Sequence, residues 1–336
     1  MKKIFFAVIL FSIFLGLAFY IFNRQAIFSH GSESGTQTFE VKPGEGVTEI
    51  ARRLARDNLI QNAYYFDYYV WKTKSRGKIQ AGGYELNGQM TVPEIVAILT
   101  VGKIISNETK VTFPEGSSLQ QMSDILKEKG FDGDEFLRVA KCACGVKTNY
   151  DFLKNRPDKS TLEGFLFPDT YIFRKDASAA DVVNRMLENF DEKLTQSMRA
   201  KTFSDNRNIF QIVTLASILE KEAKTLEDMK LASGIFWRRI AAGMPLQSCA
   251  TVAYVLGKDK KQFSFDDTRT PSPYNTYLNK GLPPGPITNP GMNAIQAAIY
   301  PTASDYNFFL TDPNTGQMLY AKTLAEHEAN KQKCGL

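Results

Sequence analysis

The segment 209–222 constrains the chain most, because its apolar residues recur at helical spacing and an acid ends the series. Ile209, Val213, Ala216 and Glu220 are separated by four, three and four residues, which puts all four side chains on one face of an α-helix. The Glu220 carboxyl group is therefore predicted to point into the core or a cleft. Burial of a charge is costly and usually raises a carboxyl pKa, leaving a proton to donate near neutral pH.

The opposite side of this helix supports the same interpretation. Thr214, Ser217 and Lys221 share a different face, which we expect to be solvent-exposed, so Glu220 could have been placed there but was not. An ion pair between a core glutamate and an arginine would also perturb the pKa without any catalytic role. The helix alone favours neither a catalytic acid nor a structural ion pair.

Composition and charge exclude several classes of protein. A chain of 336 residues predicts about two domains, and 43% hydrophobic with 23% charged residues is typical of a globular protein. The net charge of +5 is too small to indicate nucleic-acid binding, although it suits a mildly anionic membrane or cell-wall polymer.

Metal and thiol chemistry are not indicated by the residues available. The only histidines, His30 and His327, are too few for a multi-histidine metal site and make a Ser-His-Asp triad hard to build, so we predict no metal and no cofactor. The four cysteines are Cys142, Cys144, Cys249 and Cys334. The close pair has Cys-x-Cys spacing, unlike a zinc or redox Cys-x-x-Cys pair, and spacing leaves disulfide formation open.

The N-terminal run Ile4–Phe22 contains no charge and no proline, and as a helix it is about 28 Å long, close to the ~30 Å hydrocarbon core. This length favours a retained single-pass transmembrane helix over a cleaved signal peptide. Lys2 and Lys3 indicate a cytoplasmic tail over 1–3. The protein is thus predicted in the cytoplasmic (inner) membrane, with everything beyond residue 23 extracytoplasmic and a linker over 23–38.

Residues 39–104 predict a small module with the order strand, helix, helix, strand, helix. That order, with turns at 43–46 and 81–84, resembles a LysM-like module, a class that binds N-acetylglucosamine polymers. Aromatic residues over 63–71 can stack on sugar faces, or they can simply fill a small core.

Residues 108–336 predict a larger mixed domain, so the overall fold class is α+β. The segment 162–171 holds Glu163 and Asp169 with a glycine and a proline, and we interpret Glu163 either as part of a cleft wall or as a structural helix cap or buried hydrogen bond to backbone. The proline- and glycine-rich run 281–291 predicts a stiff irregular loop, which either helps to position a ligand site or covers the core.

Several ordered motifs together resemble one enzyme family. They are Leu162–Tyr171, Ala216–Glu222, Tyr274–Tyr277, Gly281–Ile287 and Glu326-His327. The chain is similar over nearly its whole length to the endolytic murein transglycosylases, the MltG or YceG-like family. The resemblance implies a membrane-anchored lytic transglycosylase that cleaves nascent peptidoglycan strands between N-acetylmuramic acid and N-acetylglucosamine and leaves 1,6-anhydromuramyl ends. It also suggests coupling to penicillin-binding synthases.

The family's catalytic glutamate falls on Glu220, as general acid and base. The sugar's own C6 hydroxyl attacks the anomeric carbon, so a second carboxylate is not needed. Candidate substrate-binding residues are Ser217, Gln247, Asn275, Tyr277 and Glu163. The chain departs from the family pattern at Cys249-Ala250 and Met318, which puts contributions from those positions in doubt. Glu222 lies about 200° around the helix from Glu220, so we do not expect it in the same cleft.

Two alternatives remain at this stage. In a muramidase that hydrolyses the bond with two carboxylates, Glu163 or Asp169 would be the second one, and the product would carry reducing ends. In a membrane-tethered scaffold that binds peptidoglycan without cleaving it, replacement of Glu220 would change nothing. The chain end formed in the reaction, and the effect of Glu220→Gln, distinguish the three.

Overall fold

The computed structural model describes residues 2–28, 31–32, 35–102, 108–158, 160–258 and 263–335 and confirms the mixed α+β class. The chain divides into two compact units, Met1–Asn107 and Glu108–Leu336. The strands within the described ranges form three separate antiparallel pairs. Helices therefore provide most of the core in each unit, and the strand pairs contribute the rest.

The N-terminal unit begins with α1, Lys2–Phe28. The predicted linker is wrong over 23–28, where the helix continues because no proline or glycine interrupts it and its polar residues contact α3, Ala63–Lys72. One such contact is the hydroxyl of Tyr65, 2.6 Å from Oε1 of Gln25. Across the described parts of the chain, no helix is long and apolar enough to cross a bilayer, so the predicted span over 4–22 is not confirmed. His30 lies outside the described residues.

The rest of this unit has the predicted order of elements. It consists of β1 Thr36–Val41, α2 Val47–Arg56, α3, β2 Gly82–Asn87 and α4 Val92–Val101. β1 and β2 pair antiparallel with Phe39 opposite Tyr84, and both rings are buried. Phe66 of α3 is also buried, whereas Trp71 on the same helix is 74% exposed. The aromatic residues therefore divide between the core and the surface, and a LysM-like sugar site stays a prediction.

The larger unit opens with a strand that begins and ends earlier than the strand over 111–116 that the sequence pattern predicts. β3 spans Glu108–Thr112 and pairs antiparallel with β4, Thr170–Arg174. It ends before Pro114, which has no backbone N–H to donate to a partner strand. The sequence pattern predicts Ser117 or Ser118 as the N-cap of the next helix, α5, Leu119–Glu128. The N-cap is Ser118, whose side chain accepts a hydrogen bond from the backbone of Gln121.

The remaining elements include helices that the sequence pattern predicted and some that it did not. In chain order they are α6 Gly133–Cys142, α7 Ala179–Lys193, α8 Gln196–Ser204, α9 Ile209–Glu222, α10 Leu226–Ala241, α11 Cys249–Leu256, α12 Phe265–Thr268, α13 Met292–Ile299, β5 Phe308–Thr311, β6 Met318–Ala321 and α14 Leu324–Cys334. The sequence pattern predicts helices over 134–139, 231–240, 251–256 and 293–299 and strands near 306–310 and 318–321, which correspond to α6, α10, α11, α13, β5 and β6, in addition to α9. A disulfide joins Cys142 to Cys144, while Cys249 and Cys334 are free.

α9 is the central helix of this unit, and α10 and α13 pack against it. The expected solvent exposure is confirmed for Lys221 but wrong for Thr214 and Ser217, which are fully buried. Their hydroxyls are satisfied within the helix itself, because Thr214 Oγ1 donates to Phe210 O (2.7 Å) and Ser217 Oγ donates to Thr214 O (2.8 Å). Where the middle of a helix is buried on every side, periodicity alone cannot predict which polar side chains are exposed.

Candidate functional site

Glu220 lies in the last turn of α9, where the helix leaves the core. Its side chain is partly buried, and Oε2 accepts a hydrogen bond from the backbone N–H of Gly291 (2.8 Å). The other oxygen, Oε1, has no hydrogen-bond partner among the residues that the structure describes. No arginine pairs with this carboxyl group within the same described ranges. The structure therefore does not have the glutamate–arginine ion pair that was one interpretation of the sequence.

The loop 281–291 is irregular, as predicted, and α9 holds it in place. Ser217 Oγ accepts a hydrogen bond from the N–H of Ile287 (3.0 Å), and Thr288 Oγ1 donates to the carbonyl of Ser217 (3.2 Å). Ser217 is one turn before Glu220 on α9, so the same helix that carries the acid also fixes the loop that contacts it. Gly291 then ends the loop as the N-cap of α13.

A third segment, Pro114–Gly116, packs against both of these elements. Gly116 has φ +73° and donates its N–H to the carbonyl of Asn289 (2.8 Å). A Cβ at Gly116 would lie only 3.1 Å from Cγ of Glu220, and a Cβ at Gly291 would overlap the carboxylate of Glu115. The two glycines thus leave room for the Glu220 side chain at Gly116 and for the Glu115 carboxylate at Gly291. The sequence pattern predicts 114–116 as the end of a strand and gives no indication of this role.

The surroundings of Glu220 favour its protonated form. Burial raises the pKa of Glu220, and the Glu115 carboxylate raises it further. The Gly291 N–H and the Lys221 ammonium group act in the opposite direction, but the pKa stays above its ordinary value. A proton held on a partly accessible carboxyl group is what a general acid requires.

Glu163 is a second buried carboxyl group with a different environment. It is 7% exposed and accepts hydrogen bonds from the N–H of Leu119 (3.0 Å) and from Nδ2 of Asn289 (2.9 Å). Leu119 is the first residue of α5, so Glu163 satisfies a free helix N–H, as the structural interpretation predicted. Burial raises the pKa of Glu163 to about 8. Its proposed contact with substrate stays a prediction.

Asn289 connects three distant parts of the larger unit, a role that the sequence pattern did not predict. Its Oδ1 accepts from the N–H groups of Gly164 (2.8 Å) and Leu166 (3.1 Å), and its Nδ2 also donates to the carbonyl of Ser117 (3.0 Å). The side chain is completely buried. The only indication of this connecting role in the sequence is the amide side chain within the run Asn289-Pro290-Gly291.

The remaining predicted site residues lie around the segment before α11. Asn275 is buried, donating to the carbonyls of Thr268 and Thr270 and accepting from the N–H of Tyr277, so it shapes its own loop. Gln247 is exposed and has φ +56°, with its N–H on the carbonyl of Thr276. Sugar binding by either residue stays a prediction, as it does for Ser217.

Tyr277 and Glu222 belong to the same neighbourhood as α11. The Tyr277 hydroxyl lies 3.1 Å from Sγ of Cys249, at one position where the chain departs from the family pattern. Glu222 accepts a hydrogen bond from the Ser248 hydroxyl, and burial raises its pKa. As the helical geometry predicted, Glu222 has different contacts from Glu220. The structure therefore separates the two acids at the end of α9.

The other proposed second carboxylate, Asp169, is bound elsewhere. Its Oδ2 accepts from Nδ2 of Asn189 (3.1 Å) and lies 3.5 Å from the ammonium group of Lys193. A separate open depression of about 490 Å³ is lined by Tyr150, Arg199 and other residues around the start of α8, and it does not include Glu220. Neither feature adds a group to the Glu220 site.

Comparison with known proteins places the chain in a family. The model of the YceG-like family matches residues 39–333. A protein of Bacillus subtilis named endolytic murein transglycosylase is 33% identical over 310 residues, covering 89% of this chain and 84% of the relative. One of Streptococcus pneumoniae with the same name is 30% identical, covering 87% of this chain and 57% of the relative's own length.

The structural comparison agrees with these matches. The crystal structure of a yceG-like protein from Listeria monocytogenes superimposes with a TM-score of 0.59 at 32% sequence identity, covering 88% of this chain and 98% of that one. The family model and the relatives cover both units described above. The protein is therefore a member of the YceG-like family.

Proposed function

We propose that this protein is an endolytic murein transglycosylase that cleaves the bond between N-acetylmuramic acid and N-acetylglucosamine in nascent glycan strands and leaves 1,6-anhydromuramyl ends. The proposal rests on the hydrogen bonding of the Glu220 carboxyl group. Its Oε2 accepts a hydrogen bond from Gly291, while Oε1 has no partner in the described ranges. The names of the Bacillus and Streptococcus relatives support the same activity.

Glu220 would act first as an acid and then as a base. Its Oε1 proton would go to the glycosidic oxygen, so that the bond from this oxygen to the anomeric carbon breaks. The resulting carboxylate would then accept the proton of the C6 hydroxyl as that oxygen bonds to the anomeric carbon, which regenerates the acid. The Gly291 N–H fixes the carboxyl group throughout and stabilises its ionised form between the two steps.

The residues near α11 are our candidates for substrate contact. The Gln247 side chain is exposed, and the partly buried Tyr277 hydroxyl is a polar group that can bind sugar hydroxyls and amides. Asn275, Ser217 and Glu163 would act indirectly, because Asn275 shapes the loop that carries Tyr277, Ser217 holds the 281–291 loop, and Glu163 caps the start of α5.

The membrane anchor and the location belong to the same proposal. The uncharged run over 4–22 supports a single-pass anchor in the cytoplasmic membrane with the enzyme outside the cytoplasm. The strand and helix order of the first unit and its exposed Trp71 support a LysM-like glycan contact. Coupling to penicillin-binding synthases is proposed from the family resemblance alone.

The decisive experiment is product analysis. The full-length protein in detergent is incubated with uncrosslinked nascent glycan strands, and the fragments are examined by mass spectrometry. We expect 1,6-anhydromuramyl ends from the wild-type protein and no fragments from Glu220→Gln. Fragments from Glu220→Gln at the wild-type rate would remove Glu220 from the chemistry, and absence of cleavage by the wild type would favour the scaffold alternative.

One observation supports a second candidate function, that of a muramidase that hydrolyses the bond with two carboxylates. Glu115 lies beside Glu220, whereas Glu163 and Asp169 are bound to other groups. A hydrolase of this kind needs two carboxylates on either side of the scissile bond. Reducing ends in the fragments would establish hydrolysis, and anhydro ends would exclude it.

A further inference from the structure

Glu115 is an exposed acid at the Glu220 site that the proposed mechanism does not use. It follows β3 in the turn Pro114–Gly116, and its carboxylate lies against the backbone of Gly291, where a Cβ would overlap it. Gly291 is also the residue whose N–H binds Glu220. The two carboxylates therefore flank the same glycine.

The contacts of Glu115 do not suggest a role in stabilising the fold. Within the described parts of the chain its carboxylate has no hydrogen-bond or ion-pair partner, and the side chain is exposed. Like charges close to each other are unfavourable, so this placement does not serve stability. The segment is nevertheless held firmly, because Gly116 bonds to Asn289 and Ser117 forms a β-bridge with the same residue.

We propose that Glu115 is a positioning residue for the transglycosylase reaction, an ionised neighbour whose negative charge keeps the proton on Glu220 until a glycan strand binds. This inference rests on the proposed function. The carboxylate of Glu115 takes no part in bond making or breaking, and it acts only through Glu220.

The groups facing Glu220 come from three elements. Lys221, next to it on α9, carries a positive charge, the 281–291 loop contributes the uncharged N–H of Gly291, and the turn after β3 contributes Glu115. Glu115 is thus the facing group among the described residues whose charge opposes ionisation of Glu220. Burial acts in the same direction, and burial is unchanged when the Glu115 charge is removed.

The test is the pH dependence of kcat/KM for cleavage of uncrosslinked glycan strands by the full-length protein in detergent. The wild-type rate falls as pH rises through the pKa of Glu220, because the acid form is lost. In Glu115→Gln we expect this falling limb to move to lower pH by about one unit, the usual effect of one nearby charge. On the falling limb the rate would be about tenfold lower than the wild-type rate at the same pH, and well below the limb the two rates would be equal.

Three further variants make the result specific. Glu115→Asp keeps the charge and should retain most of the wild-type profile. Gly291→Ala fits its backbone at φ −77° but pushes the Glu115 carboxylate away, so it should move the limb in the same direction by a smaller amount. Glu128→Gln removes an equally exposed charge at the end of α5 and should leave the profile unchanged.

Several outcomes would overturn the inference. A limb that stays in place in Glu115→Gln, or a rate that falls equally at every pH, would show that Glu115 acts by another route, such as direct sugar contact. If the wild type cleaves and Glu220→Gln does not, such a result rejects only the role of Glu115. If the wild type does not cleave or Glu220→Gln does, the proposed function itself fails.

Discussion

Glu163 and Glu220 occupy two regions that appear similar and differ in one decisive respect. Both carboxyl groups are withdrawn from water, both have raised pKa values because of burial, and both bind the end of the same loop, at Asn289 and Gly291. Glu163 uses its oxygens on the backbone of α5 and on an amide. Glu220 keeps one oxygen without a partner in the described chain.

This difference shows that a raised pKa is not sufficient to identify a catalytic acid. The Glu163 proton is inaccessible and serves the fold, whereas the Glu220 carboxyl group is at the surface of the core with one oxygen that no described residue binds. The loop end is shared, so one rigid segment supports both the packing of the core and the orientation of the acid.

The largest expected effect comes from neutralising each acid in turn. Glu220→Gln should lower kcat by about 10²- to 10⁴-fold, because it removes the proton that the leaving oxygen needs. Glu163→Gln should change kcat less than tenfold, since the amide oxygen can still accept from Leu119 and Asn289. Cleavage rates on glycan strands measure both. Equal losses in the two variants would contradict the distinction.

The next largest expected effect concerns Asn289, which bonds to both Glu163 and the backbone around Gly164. Asn289→Ala should lower the free energy of unfolding by about 3 kcal/mol, because it leaves the N–H groups of Gly164 and Leu166 and the Glu163 carboxyl group without their partner. Denaturant unfolding measures this loss. Asn314→Ala, at an exposed turn, is the matched control and should change stability by less than about 0.5 kcal/mol.

The pH dependence of stability should contain a contribution from Glu163, alongside those of Glu220 and Glu222, whose pKa values burial also raises. With a folded pKa of about 8 against an ordinary 4.5, the folded protein retains a proton that the unfolded chain has released in this interval. Stability contributed by Glu163 is therefore full below pH 4.5 and is lost as pH rises, at up to roughly 1.4 kcal/mol per unit, until pH 8. Unfolding of Glu163→Gln should show a smaller slope than the wild type, by the Glu163 contribution. A slope unchanged in the variant would assign it to other groups.

The smallest expected effect is that of Lys221. Its ammonium group lowers the Glu220 pKa, so Lys221→Gln should move the falling limb of the pH–rate profile to higher pH by less than one unit. Lys221 is exposed, and the shift should shrink further in high salt. Profiles recorded at two salt concentrations test this. A shift to lower pH would contradict the charge arrangement described for Glu220.

Local patterns predicted much of this fold. Spacing predicted α9 and the partial burial of Glu220, a serine cap at 117 or 118 predicted the start of α5, and the glycine and proline content predicted the irregular loop. These features depend on interactions between residues close in sequence. The burial of Ser217 could not be predicted, because it depends on which distant segment covers the helix.

The candidate site was predictable only in part for the same reason. Glu220 follows from one helix, but the approach of Glu115 and the connections of Asn289 require segments far apart in sequence to meet. Without a Cβ, Gly116 and Gly291 leave no hydrophobic signal in the sequence. Their importance becomes evident only when the neighbouring atoms are known.

The bond between Asn289 and Ser117 joins residues 172 positions apart, and those to Gly164 and Leu166 span 125 and 123. Closing such long loops makes formation of these contacts a late folding event. During synthesis, the acid of α9 leaves the ribosome well before Gly291 and cannot have its final geometry until the loop has followed. The Glu220 site therefore cannot form before Gly291 has been synthesised, and a product truncated before residue 281 would lack the arrangement entirely.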